Sequence, residues 1–121
     1  MRIVSRFAPP LVLMGVIFAL SAQPSLNSGL AWDTVLRKAA HMTEFGLLWL
    51  LWWRALGYGS RLVPAAIAVA YAVTDELHQT AVEGRVGSPV DVLIDTAGVL
   101  VAMLAVRHVQ TRRRRSDSVA A

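Results

Sequence analysis

Four apolar stretches, Phe7 to Ala22, Ala39 to Trp53, Leu62 to Thr74 and Val90 to Val106, alternate with short connections rich in turn residues. Each reads as a helix. Crossing a hydrocarbon core of about 30 Å takes about 20 residues at about 1.5 Å per residue, so each stretch must recruit its flanks to span a membrane. Those flanks are legible. Arg2 and Arg6 can snorkel at the start of the first stretch, and Trp49, Trp52 and Trp53 stand where an interfacial aromatic belt closes the second. Pro9 and Pro10 are expected to open the first helix, Pro64 to lie in the first turn of the third, and Pro89 to follow Ser88 at the fourth, where a missing N–H costs little. The connections carry Pro24 with Gly29, Gly57 to Ser60, and Gly84 to Ser88.

Composition agrees with a small membrane protein. Of the 121 residues, 55% are hydrophobic, and the mean hydropathy is +0.51, too apolar for a disordered chain and unusual for a soluble one. The net charge of +4 equals the contribution of Arg112, Arg113, Arg114 and Arg115 alone, so the basicity belongs to the tail and implies no nucleic-acid partner. The absence of cysteine excludes disulfides and thiolate metal sites.

The predicted fold is all-α: a polytopic membrane protein whose residues 1–107 form a four-transmembrane-helix bundle, with a basic, disordered tail over 108–121. Orientation follows from the positive charges. Arg2, Arg6, Arg54, Arg61, Arg107 and Arg112 to Arg115 make nine on one side, against Arg37, Lys38 and Arg85 on the other, which places both termini in the cytoplasm. A competing expectation is a cleaved signal peptide, since a basic start and an apolar run lead to Ala19-Leu20-Ser21 before Ala22; cleavage would leave three spans and the same cytoplasmic tail.

Ionisable residues at the ends of the spans carry the functional information. The second stretch has Lys38, His41 and Glu44 at spacing three; the third ends in Asp75, Glu76, His78 and Gln79; the fourth begins with Asp91 and Asp95, one turn apart. With both termini inside, these three groups and the Arg85 loop share the extracytoplasmic surface, while the inner halves of the helices have no ionisable side chain. Each member has a plain alternative. Ser88 to Asp91 fits a capping box, Lys38 can snorkel outward, and His41 or His78 can be a packed, hydrogen-bonded histidine. Glu44 and Asp95 lie deeper, where a carboxylate is costly unless protonated, paired or bound to a cation. Asp91 and Asp95 also repel each other at i,i+4, so a positive group belongs between them: Arg85, Lys38, His41 or a divalent ion such as magnesium or calcium.

Four blocks, Lys38-Ala39-Ala40-His41-Met42-Thr43-Glu44-Phe45, Tyr71 to Gln79, Gly84 to Ser88, and Asp91-Val92-Leu93-Ile94-Asp95-Thr96-Ala97-Gly98, resemble in order and spacing those of the VanZ-like membrane proteins. Ala81 and Glu83 depart from the usual pattern around the Gly-Arg loop. The resemblance implies a multi-pass protein of the bacterial plasma membrane. The family's namesake is associated with resistance to the glycopeptide teicoplanin, and the family has been grouped with membrane enzymes that exchange or hydrolyse lipid headgroups.

On that basis the expected function is phosphodiester exchange or hydrolysis on a lipid headgroup or lipid-linked cell-envelope substrate. His41, Glu44 and Glu76 are the expected catalytic groups; Lys38, Arg85 and Gln79 would bind substrate; Asp75, Asp91 and Asp95 would hold a metal or the cationic side chains. Three other readings use the same residues. A non-catalytic binder of a glycopeptide would need only the pocket. An ion or proton pathway would need titratable groups in the inner halves as well. A purely structural network would need the charges to balance, whereas Glu44, Asp75, Glu76, Asp91 and Asp95 face two permanent cations.

Overall fold

A computed structural model of the chain describes residues 2–21, 31–81 and 89–120. It is all-α, as expected. Helix α1 covers Ile3–Ser21, α2 Ala31–Ala55, α3 Leu62–Ala81 and α4 Pro89–Ala120. Successive helices run antiparallel: Arg6 at the start of α1 meets Ala55 at the end of α2, Trp49 of α2 meets Arg61 ahead of α3, and Arg61 meets Gln110 of α4.

Three boundaries differ from expectation, each for a local reason. Pro9 and Pro10 do not open α1; they lie inside it. Pro9 has no N–H for the Ser5 carbonyl, and Arg54 Nη1 donates to that oxygen instead, at 3.0 Å, so the interior proline leaves no orphan there. Helix α2 begins at Ala31, well before the apolar stretch at Ala39, because hydrophobicity marks only part of a helix. The tail is also corrected, since residues 108–120 continue α4. They contain no Gly or Pro, and a helix already nucleated upstream propagates readily through Arg, Gln and Ala. Every side chain from Thr111 to Val119 is exposed.

The turn between α2 and α3 is built by one stop signal and one start signal. Gly57, with φ 79°, takes the left-handed conformation that suits glycine, its N–H donating to the Arg54 carbonyl while the Tyr58 N–H donates to that of Trp53. This is a Schellman cap, and Tyr58 completes it by setting its ring edge-on to Trp53, centroids 4.9 Å apart. Ser60 Oγ then accepts the Leu62 N–H at 3.2 Å to start α3, and Pro64 falls in its first turn as predicted.

The buried core is Ile17 of α1, Phe45, Leu48, Trp49 and Trp53 of α2, Ala68 and Ala72 of α3, and Val99 of α4. Trp49 stacks on Trp53 at 5.3 Å, and its indole N–H reaches the Arg61 carbonyl at 3.0 Å, which satisfies the one polar atom of that side chain. The outward faces are apolar too, with Leu11, Val12, Leu47, Leu62, Leu93 and Leu104 exposed. Two helices among the described residues, α1 and α4, are long and apolar enough to cross a membrane by length and composition. Helix α2 carries Asp33, Arg37, Lys38, Glu44 and Arg54 along its length, and α3 carries Asp75 and Glu76 in its last turns.

Candidate functional site

The core stripe of three helices turns polar at one end of the bundle. On α2 the buried Phe45 is preceded one turn earlier by His41; on α3 Ala72 is followed by Asp75 and Gln79; on α4 Val99 is preceded by Asp95. Helical periodicity keeps each polar residue on the face that packs inward. Asp75, Gln79 and Asp95 are accordingly buried, at 2%, 4% and 3% exposure.

Gly98 sets how closely α2 and α4 approach. A Cβ built on it would lie 2.2 Å from the Met42 carbonyl oxygen, and one on Gly46 would lie 3.0 Å from the Gly98 carbonyl. The two backbones therefore touch directly, with Ala102 continuing the small-residue face one turn on. One turn from this contact, His41 Nδ1 stands 3.3 Å from Asp95 Oδ1, although the pair lacks the alignment of a hydrogen bond. Asp75 joins them from α3: one ligand atom from each of His41, Asp75 and Asp95 lies within 4.8 Å of the others. Gln79 Nε2 donates to Asp75 Oδ2 at 3.2 Å, and Asp75 Oδ1 is buried without a hydrogen-bond partner.

The other expected site residues divide by depth. Glu44 and Glu76 are half-buried and lie within electrostatic reach of His41, Asp75 and Asp95; Glu76 Oε1 is buried without a hydrogen-bond partner. Lys38 Nζ pairs with Asp91 Oδ1 at 3.9 Å, their side chains 44% and 31% exposed, a rim contact worth little by itself. Asp91 thus holds a cationic side chain, one of the two roles expected of it, and the cluster of ligand atoms around Asp75 and Asp95 is completed by His41. His78 turns toward α1 and stacks on Phe18, centroids 4.0 Å apart. Arg85 and the Gly84 to Ser88 loop, including the expected capping box at Ser88, lie outside the described residues.

Two contributors were not singled out from the residues. Gly98 positions the site through backbone contact, and the sequence signal for it is the four-residue spacing of small residues Gly98 and Ala102. Phe18 partners His78 without any signal, because an aromatic in an apolar stretch resembles any other.

A family model described as VanZ/LLP1 matches residues 7–110. The chain belongs to the VanZ/LLP1 family. The matched range takes in most of α1, so this helix is part of the VanZ/LLP1 unit, and it ends at Gln110, the residue of α4 that accepts from Arg61 Nη2. No curated protein and no solved structure matches the chain.

Proposed function

We propose that this VanZ/LLP1 protein is a four-span protein of the bacterial plasma membrane with both termini cytoplasmic. Its polar end would act on a lipid headgroup or lipid-linked cell-envelope substrate at the extracytoplasmic face. The observation that carries this reading is the convergence of His41, Asp75 and Asp95 from three helices at the end of an otherwise apolar core. Burying two carboxylates costs stability that a purely structural end could avoid with apolar residues. The apolar outer faces support a lipid environment, and the nine-to-three division of basic residues supports the orientation.

Exchange or hydrolysis of a phosphodiester needs a base to take the proton of the attacking hydroxyl or water, an acid to return one to the departing alcohol, and groups that hold the phosphate in line. The deep trio is the reactive centre, and Glu44 and Glu76 beside it are the proton-transfer groups. Lys38 at the rim meets the phosphate first, with Asp91 holding its ammonium in place. Purified protein in liposomes of mixed phospholipids, assayed by mass spectrometry, should yield headgroup-exchanged or hydrolysed lipid. Glu44→Ala and His41→Ala should remove product while leaving insertion and helicity intact. Lys38→Ala should raise KM more than it lowers kcat. Product formation at the wild-type rate by both Glu44→Ala and His41→Ala would overturn the reading; saturable glycopeptide association without any product would favour a binder in its place.

A further inference from the structure

We propose that His41, Asp75 and Asp95 form a binding site for a first-row transition-metal dication of the zinc or manganese kind. The set is one imidazole nitrogen and two carboxylates, drawn from three different helices. Magnesium and calcium take oxygen shells, whereas an imidazole in a three-ligand set suits zinc, manganese or iron. Placing His41 in the set and Asp91 outside it therefore changes the expected ion as well as the ligands. Three protein ligands also leave coordination positions open, as in catalytic metal sites.

The His41–Asp95 pair has the spacing that one ion requires. Two ligand atoms about 2.05 Å from one ion at a tetrahedral angle stand about 3.3 Å apart, and His41 Nδ1 and Asp95 Oδ1 stand 3.3 Å apart without forming a hydrogen bond. Asp75 Oδ1 is buried with no hydrogen-bond partner, which is costly for a carboxylate oxygen unless a positive charge sits beside it. Gln79 holds the other oxygen of Asp75, the kind of outer contact that orients a metal-ligating carboxylate. With Glu44 and Glu76 close by, a dication also relieves the excess of negative charge.

This site coincides with the proposed reactive centre, but metal binding stands apart from lipid turnover and is read without it. Full-length protein in nanodiscs, tag removed and chelator-treated, is titrated with zinc, manganese and cobalt, with bound metal measured by mass spectrometry and cobalt coordination by visible absorption. The expected result is one ion per chain with a cobalt spectrum showing nitrogen and oxygen ligands. His41→Ala, Asp75→Asn and Asp95→Asn should weaken binding by more than about 100-fold, Gln79→Ala by about 10–100-fold, and Asp91→Asn by less than threefold. Helicity by circular dichroism identifies any variant that fails to fold, and Gln79→Ala keeps the three ligands while testing the same site. Wild-type binding no tighter than that of folded His41→Ala, or a loss in Asp91→Asn equal to that in Asp95→Asn, would overturn the proposal. Tight metal binding without headgroup turnover would overturn the lipid reading alone; turnover unchanged in metal-free protein that binds no ion would overturn the metal site alone.

Discussion

Gly98→Ala is expected to destabilise the protein by about 3 kcal/mol or more, at or above the usual range for overpacking. The added methyl would lie 2.2 Å from the Met42 carbonyl oxygen. Neither partner is the flexible end of a side chain, so relief requires α2 and α4 to move apart as whole helices. That motion also widens the His41–Asp95 gap one turn away, and activity and metal affinity should fall with stability. Gly15→Ala is the control: nothing lies within 4 Å of its Cβ, and exchanging glycine for alanine within a helix gains up to about 1 kcal/mol. Gly46→Ala, meeting the Gly98 carbonyl at 3.0 Å, should fall between them. Thermal unfolding in detergent, followed by circular dichroism, ranks the three. A Gly98→Ala protein as stable as wild type would mean that the two backbones do not touch.

The second large effect concerns the His41–Asp95 pair. Each of His41→Ala and Asp95→Ala is expected to lower headgroup turnover by about 10²–10⁴-fold, the usual reach of a positioned acid–base group, while the double variant should be about as active as the poorer single one. Residues that act as a unit lose their joint contribution once. A double-variant loss equal to the product of the single losses would show that the two side chains act independently despite their 3.3 Å separation. Carrying Lys38→Ala through the same cycle should give near-multiplicative losses, because its pair with Asp91 lies at the partly exposed rim and is 3.9 Å long.

Much of the inner site is legible before any fold is known, because a buried carboxylate in an apolar helix demands a partner. Asp95 announces itself in that way, together with Glu44, while Asp75 and His41 are legible as members of the cluster at the ends of the spans. Depth is legible along α4, where Asp95 reads as deeper than Asp91, but not between helices: Glu44 reads as deep and is half-buried, whereas Asp75 is 2% exposed. Asp91 and Asp95 share one face of α4, yet a single turn separates a rim group paired with Lys38 from an inner group 3% exposed. How deep a carboxylate of one helix sits relative to those of another depends on how closely the helices pack, as where Gly98 of α4 meets the Met42 backbone of α2. His78 illustrates the same limit, since four residues on α3 border one another but its ring turns to Phe18. Helix identity followed from apolar runs, whereas the helical tail and the prolines inside α1 depended on propagation and on Arg54, an arginine from another helix reaching a freed carbonyl.

At the end that holds the α2–α3 turn, arginine side chains and an indole stitch neighbouring helices through backbone carbonyls, Arg6 to Ala55, Arg54 to Ser5 and Trp49 to Arg61. Each of these bonds ends on a main-chain carbonyl, so exchanging the acceptor residues Ser5, Ala55 or Arg61 leaves it in place, whereas losing the Arg6, Arg54 or Trp49 side chain removes it.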